Sequence, residues 1–419
     1  MIRYLFHRAI LICLILMTGC TTSQKPEGTL GTVLVFSPGQ ENDIRAALID
    51  IKGDTEIVLK EGIYRFDKIS LQGPVNKVIF RGAHPEKTII DFSGQTSGGE
   101  GMRVDNVTDF EIRDIQLRES VGDLLKVKDG KDVRFINVHT VWLGEPDTDN
   151  GGYGIYPVLC ENVLIDGCYV RGASDAGIYV GQSINAVIKN SKAEFCVAGI
   201  EVENTINAEV YNNEASNNAG GILVFDHPGL KHDGRNVSVY RNHVHDNNYR
   251  NFAPAANSAT GVGNLPPGTG VMVLRTSNVQ VYENEIHHNN TMSVGILSYL
   301  TVDQDILQNN PEFDPIPRDI TLRNNKITKA KTFPRTVEGH TLAQNIVNIH
   351  QMLTASGILS PEQGMPHILY DGIATSPGVN PNRLCIDETD EITFINLDFA
   401  NDHTNIHFDK SLYICKLQP

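Results

Sequence analysis

The chain has 419 residues, with 35 Lys and Arg against 50 Asp and Glu and a formal charge of −15. That acidic balance argues against non-specific nucleic-acid binding, which needs a basic footprint, so no nucleic-acid partner is expected. Seven Cys occur without a CxxC or CxxCH run, which removes a zinc knuckle and covalently attached haem from consideration.

At the N-terminus, Arg3 and Arg8 precede an apolar run from Ala9 to Met17 that ends in Met17-Thr18-Gly19-Cys20. A basic stretch, a short apolar stretch and small residues before a Cys predict a secretory signal over residues 1–19. The run is too short for a membrane span. "MTGC" resembles a bacterial lipoprotein signal, which implies that Cys20 carries a lipid anchor in the membrane. Thr21 after the Cys resembles sorting to the outer membrane. Residues 20–31 are polar and read as a tether. Ile44, Ala47, Leu48 and Ile51 then recur at helical spacing within 42–52, predicting an amphipathic helix that covers the open end of a stack of strands.

From about residue 76 the chain repeats itself. "NVLIDGCYV" at 162, "NAVIKNSKA" at 185, "NAEVYNNEA" at 207, "NVSVYRNHV" at 236, "NVQVYENEI" at 278 and "DITLRNNKI" at 319 are variants of one unit, the tightest spacings being 22 and 23 residues. Each continues into a second apolar stretch such as "GIYV" at 177 or "GILV" at 221. One such coil cannot bury its own inner face, so coils must stack. Alternation turns Val237, Val239, Val244, Ile222 and Val224 inward. Asn213, Asn242, Asn284 and Asn325 hold one repeat position and predict a structural amide ladder. The expected fold is all-β, a parallel β-helix over 32–328 of roughly nine coils, followed by a small irregular and helical cap over 329–419. Resemblance to pectate-lyase-like folds implies a right-handed winding. Within the cap, residues 337–353 are predicted to be helical. Export permits disulfides, and Cys385 and Cys415 are expected to pair, whereas Cys160, Cys168 and Cys196 suit the core.

Insertions locate a functional face. Residues 143–153 and 249–269 precede the "GIxV" strand and residues 225–235 and 299–318 follow it, so all four flank one sheet and are expected to wall a groove. Its floor is predicted as two outward columns: Arg103, Lys126, Tyr156, Tyr179, Glu201, Leu223, Met272, Leu297, and Asp105, Lys128, Val158, Gly181, Glu203, Phe225, Leu274, Tyr299. Cations bind uronate carboxylates and flat rings stack on sugars. Arg103, Lys126, Tyr156, Tyr179, Glu201, Glu203 and Lys231 are therefore the candidate substrate-binding residues. In "ILVFDHPGLKHDGRN", residues 222–236, Asp226, His227 and His232, with Arg275 one coil away, supply the residue types for uronate chemistry. Arg275 or Lys231 would neutralise the carboxylate, and His227 or His232 would act as base. Lys189, Tyr211, Tyr240, Tyr282 and Arg323 form a column on another sheet, read as cross-strand stabilisation. His243 and Glu285, and His245 and His287, are expected to be neighbours on the third sheet; they read as solvated surface, and no metal ligands are assigned. "DTDNGG" at 147–152 resembles part of a Ca²⁺ loop but lacks the third-position acid and the distal Glu, and reads as a turn. No other cofactor is suggested.

At "GGILVFDHPGL", "NFAPAANSATGVGNLPPGTGV" and "FDPIPRDITLRNN" the chain resembles a family of bacterial parallel β-helix repeat lipoproteins. The resemblance implies an exported β-helix and a c-type cytochrome as partner, but no particular activity. "FDHP" distantly resembles the Phe-Asp-Pro-His run of mannuronan C5-epimerases, with His227 and Pro228 in swapped order. The expected function is an envelope lipoprotein that binds an extended, acidic polysaccharide along the groove. Its alternatives are a uronate lyase or C5-epimerase, and a non-catalytic docking protein serving a c-type cytochrome.

Overall fold

The structure is a computed structural model that describes residues 31–254, 261–328, 341–361, 363–374, 376–378 and 380–415. The expected signal peptide, Cys20 and the tether through residue 30 lie outside the described residues. A single coil shows the principle of the rest. Ala176–Gly181, Ile184–Lys189 and Lys192–Glu194 are three short strands joined by tight corners. The next coil repeats them as Ala198–Glu203, Ile206–Tyr211 and Glu214–Ser216, paired parallel and in register. Three sheets thus enclose one core, in a parallel β-helix of about 13 turns.

Period-two alternation builds that core. Ile178, Ile200 and Ile222 stack on one sheet and Ile188, Val210 and Val239 on another, all with no exposed surface. Each such side chain contributes about 1.5–3 kcal/mol by leaving water. Cys160, Cys168 and Cys196 are free thiols in the same interior, as expected.

The corners explain the Asn. Asn162, Asn185, Asn207, Asn236 and Asn278 all have φ between 54° and 60°, the left-handed region that Asn tolerates better than other side chains. Their amides chain together along the surface, coil to coil, at 2.6–3.0 Å. The predicted inner ladder is present as well. The Asn242 Oδ1 accepts from both the backbone N–H and the Nδ2 of Asn213, and its Nδ2 donates to Val210 O and Asn284 Oδ1. A second buried ladder, Asn218–Asn247–Asn289, runs after the third strand.

Both ends are capped roughly as expected, and strands are added at each. The helix α1 (Glu41–Asp50) packs Ile44 and Leu48 onto the first turns as a cap, but a strand, Thr32–Phe36, precedes it and pairs with Thr55–Leu59. At the other end the repeat outlasts residue 328. Ile368–Tyr370, Cys385–Asp387 and Phe394–Asn396 add parallel rungs to the sheets, so the irregular and helical cap also carries short strands of the β-helix. Short rungs separated by long excursions carry no visible period, which hid them. Two further helices follow: α2 (Ile306–Asn309) lies in the 299–318 insertion and α3 (Thr341–Ala355) in the C-terminal segment, where it buries Ile346, Ile349 and Leu353 on one face. Cys385 and Cys415 form the expected disulfide, with Cα atoms 5.3 Å apart.

Asn242→Ala strands the Asn213 amide and the Val210 carbonyl inside the core. It is expected to lower stability by about 2–4 kcal/mol, read as a shifted denaturant midpoint with an unchanged slope.

Candidate functional site

The sheet flanked by the insertions is built from Asp123–Lys128, Tyr153–Val158, Ala176–Gly181, Ala198–Glu203, Gly220–Phe225, Thr269–Leu274 and Met292–Leu297. Its register reproduces the predicted columns through Met272 and Leu274. On the last of these coils the expectation slipped by two residues. Gly295 lies beside Met272, and Leu297 beside Leu274, which sends Tyr299 beyond the strand into a short 3₁₀ turn.

The expected extended groove is absent over the C-terminal half of this sheet. The inserted loops lie across it instead of walling it. Phe252 and Leu265 from the 249–269 loop, Ile306 of α2 and Ile346 of α3 pack with Leu223, Met272, Leu274 and Leu297 in a second apolar core. The cause is the composition of the outward column: left open, these apolar side chains would form one contiguous patch in water. The loops also fasten to each other, Arg250 Nη2 donating to Pro146 O at 2.6 Å.

The uncovered N-terminal end holds Arg103, Lys126 and Tyr156. Arg103 is bonded to Asp105 at 2.6 Å and Glu100 at 3.2 Å. The Lys126 ammonium lies 4.4 Å over the Tyr156 ring and 3.5 Å from Glu100. The expected cations are present, each already facing carboxylates. Tyr153, Tyr156 and Tyr179 form a cluster with centroids 4.4–4.8 Å apart. Tyr179 is buried beneath it and donates to Glu203.

Between the roof and the sheet a small pocket of about 40 Å³ remains, walled by Leu223, Phe225, Val262, Leu265, Met272 and Leu342, with Glu201 and His227 as its titratable lining. The Glu201 carboxyl is 1 % exposed, and its Oε1 has no hydrogen-bond partner. Burial, with Asp175 and Glu203 close by, raises its pKa well above the carboxylate range. Glu203 is pushed up to about 7, chiefly by burial, against the pull of Tyr179. The Glu203 Oε1 lies 3.9 Å from His227 Nε2, and the Tyr299 hydroxyl lies 2.8 Å from His227 Nδ1. Burial lowers the His227 pKa, so its ring is neutral at neutral pH. A carboxyl able to donate and an imidazole able to accept thus meet at one apolar pocket.

The remaining expected catalytic residues take other positions. Asp226 is fully buried and ion-paired with Arg275, and it accepts from Thr276 Oγ1 at 2.8 Å and Gly234 N at 2.7 Å. Arg275 also contacts Asp233 at 2.9 Å and donates from Nε to Asp314 O at 2.7 Å. The pair folds the 225–235 loop back on itself, and Gly234 is required there because a Cβ would stand 2.2 Å from Asp226 Oδ1. Arg275, expected to neutralise a uronate, is spent on Asp226. His232 and Lys231 sit on the outer part of the same loop, where the His232 carbonyl accepts from Asn204 at 2.7 Å and the Lys231 backbone donates to Gln182 at 3.2 Å. Residues 147–152 make the expected turn, with Asp149 N bonded to Asp147 Oδ1 at 3.2 Å. Tyr153 and Asp175 were not singled out, and Tyr299 was expected only as part of the groove floor. Tyr299 reaches His227 only through the roof, and no sequence spacing signals that contact.

The tyrosine column on the second sheet is stacked face to face. Tyr211–Tyr240 and Tyr240–Tyr282 lie 4.9 and 4.8 Å apart, and Arg323 covers Tyr282 at 4.0 Å. The ring faces are used on one another, so the column offers edges rather than a platform to a sugar.

Residues 148–348 match the family model described as right handed beta helix region. The protein is a right-handed parallel β-helix repeat protein. Among solved structures it is similar to the Azotobacter vinelandii mannuronan C-5 epimerase AlgE4 A-module, at 14% identity over 83% of this chain and 90% of that one, with a TM-score of 0.45. It is also similar to pectate lyase Pel9A (14% identity, 74% and 79% covered, TM-score 0.40). The alginate lyase from Paenibacillus sp. str. FPU-7 is a third (13%, 72% and 97%, TM-score 0.37). These likenesses are of fold. No curated protein matches the chain in sequence.

Asp226→Ala leaves the buried Arg275 guanidinium with the exposed Asp233 as its remaining carboxylate partner beside the Asp314 carbonyl, and is expected to cost about 3 kcal/mol or more in chemical denaturation. Glu203 sets a pH dependence. Its carboxyl holds a proton in the fold up to about pH 7 and in the unfolded chain only to the usual 4.5. The native state therefore binds more protons across that window, and stability falls as pH rises from 4.5 to 7, by about 3 kcal/mol for this group. Glu203→Gln should flatten the pH profile of the unfolding midpoint over that range, and an unchanged slope would contradict the assignment.

Proposed function

We propose that this β-helix binds a saccharide from which one protruding hydroxyl-bearing group, on a chain end or branch, enters the small Glu201–His227 pocket. The observation that carries this reading is the Glu201 carboxyl: buried, unpartnered at Oε1 and set in an apolar pocket, it needs a polar ligand group to satisfy it. Sugar hydroxyls suit it, because each both donates and accepts. With Arg275 engaged by Asp226, recognition by hydroxyls fits this pocket better than recognition of a carboxylate. An acidic polymer would owe its affinity to Arg103, Lys126 and Lys231, away from the pocket. Lipid anchoring through Cys20, an outer-membrane location and a c-type cytochrome partner rest on the sequence resemblances.

A second reading is favoured by His227, held between Glu203 and Tyr299. A neutral imidazole can remove a proton from a sugar carbon while a protonated carboxyl gives one, to the opposite face of that carbon in a C5-epimerase or to the departing glycosidic oxygen in a lyase. One experiment separates the two. Neutral and uronic oligosaccharides are titrated calorimetrically, and the same mixtures are followed for unsaturated product by ultraviolet absorbance and for deuterium exchange at C5. Binding weakened tenfold or more in Glu201→Leu and unchanged in Tyr240→Ala supports the pocket. Turnover lost in His227→Ala adds the enzymatic reading. No binding of any saccharide overturns both.

A further inference from the structure

The third sheet carries a cluster that the saccharide pocket does not use. His243–His245 and Glu285–His287 are adjacent three-residue rungs, paired parallel, with His243 beside Glu285 and His245 beside His287. Val244 and Ile286 point into the core with no exposed surface, so the four titratable residues must all point out. The combination that comes together is not the two directly paired histidines. It is His243, its neighbour Glu285 and the diagonal His287, whose ligand-capable atoms all lie within 4.8 Å of one another. The two rings stand 5.4 Å apart at 73°, and His287 Nε2 is 4.0 Å from Glu285 Oε2.

We propose that His243, Glu285 and His287 form a surface site for a first-row transition-metal ion of the zinc type. In a tetrahedral site, two ligands at zinc distances of 2.0–2.2 Å stand about 3.3–3.6 Å apart. Closing from as much as 4.8 Å requires a shift of about an ångström, which these surface side chains supply by rotation. Their Cβ atoms are fixed by ladder pairing on a rigid core, so most of the ordering cost was met on folding. His245 stacks on His243 at 4.0 Å and is itself oriented by Asp246 at 2.8 Å, which walls one side of the site. The competitor is Lys326, whose ammonium pairs with Glu285 at 2.8 Å. Lys326 is 77% and Glu285 48% exposed, so that pair is screened and weak, and a dication displaces it. Two imidazoles and one carboxylate select zinc, copper or nickel over Ca²⁺, which takes oxygen ligands. Three protein ligands leave the fourth position to water or to a donor from a partner.

The test is calorimetric titration of the purified, chelator-treated protein with Zn²⁺, and separately with Ca²⁺. One zinc ion per chain is expected, with no saturable Ca²⁺ heat at this site. His243→Ala and His287→Ala should each weaken zinc binding tenfold or more, without changing the unfolding midpoint of the metal-free protein. Lys326→Met should tighten it. Co²⁺ should give a visible absorption band that His287→Ala abolishes. Zinc affinity unchanged in His287→Ala, or no zinc bound by the unaltered protein, overturns the site. Neither result bears on the saccharide pocket, which lies on another sheet.

Discussion

A parallel coil satisfies almost none of its own backbone groups. Every N–H and C=O along its edges must be matched by the coil above or below, and its inner face must be covered by the same neighbours. The rest of the molecule is arranged to keep that match in register. Corners must turn through the same angle each time, so Asn recurs at left-handed positions, and its amide doubles as a rung between coils. Where a corner is buried, the same amide satisfies a backbone N–H and a carbonyl of the preceding coil, as Asn242 does.

Register also explains where variation is permitted. An insertion is tolerated only at a corner, and only if the chain returns to the same rung. Four such insertions surround one sheet, and its outward residues changed with them. At the N-terminal end they are Arg103, partly exposed, and Lys126 and Tyr156, both partly buried. Toward the C-terminal end they are Leu223, Met272, Leu274 and Leu297, buried by the loops and by α3. The boundary between these regimes falls at Glu201 and Glu203. There two carboxyls enter an apolar environment with one tyrosine and no cation directly on them, and burial raises both pKa values. The titratable site is a consequence of covering half of a charged sheet. The buried Asp226–Arg275 pair serves that cover, because it pins the loop that carries His227.

Much of this was legible in the residues. Period-two alternation and the recurring Asn predicted the coils, their register over most of their length, the inner ladder and the tyrosine stack, because each depends only on short-range spacing repeated in kind. The disulfide and the C-terminal helix were legible from composition and helical spacing. What escaped detection is irregular: rungs separated by long excursions, a strand ahead of the cap, and the two-residue slip at Leu297. The site was half legible. Glu201, Glu203, Tyr179 and His227 were named, but for an open groove.

The sequence by itself determined a stacked coil with a marked sheet, since inward and outward positions are a property of alternation alone. Only the tertiary structure decided what that sheet became. Whether an insertion walls a groove or lies down across it depends on the apolar area it finds beneath it, and that area is assembled from residues some twenty to seventy positions apart. The same holds for which charges remain available. Arg275 is one coil from Asp226 in any reading, but that it is buried and spent there, leaving Glu201 unpaired in a pocket, is visible only once the roof is in place.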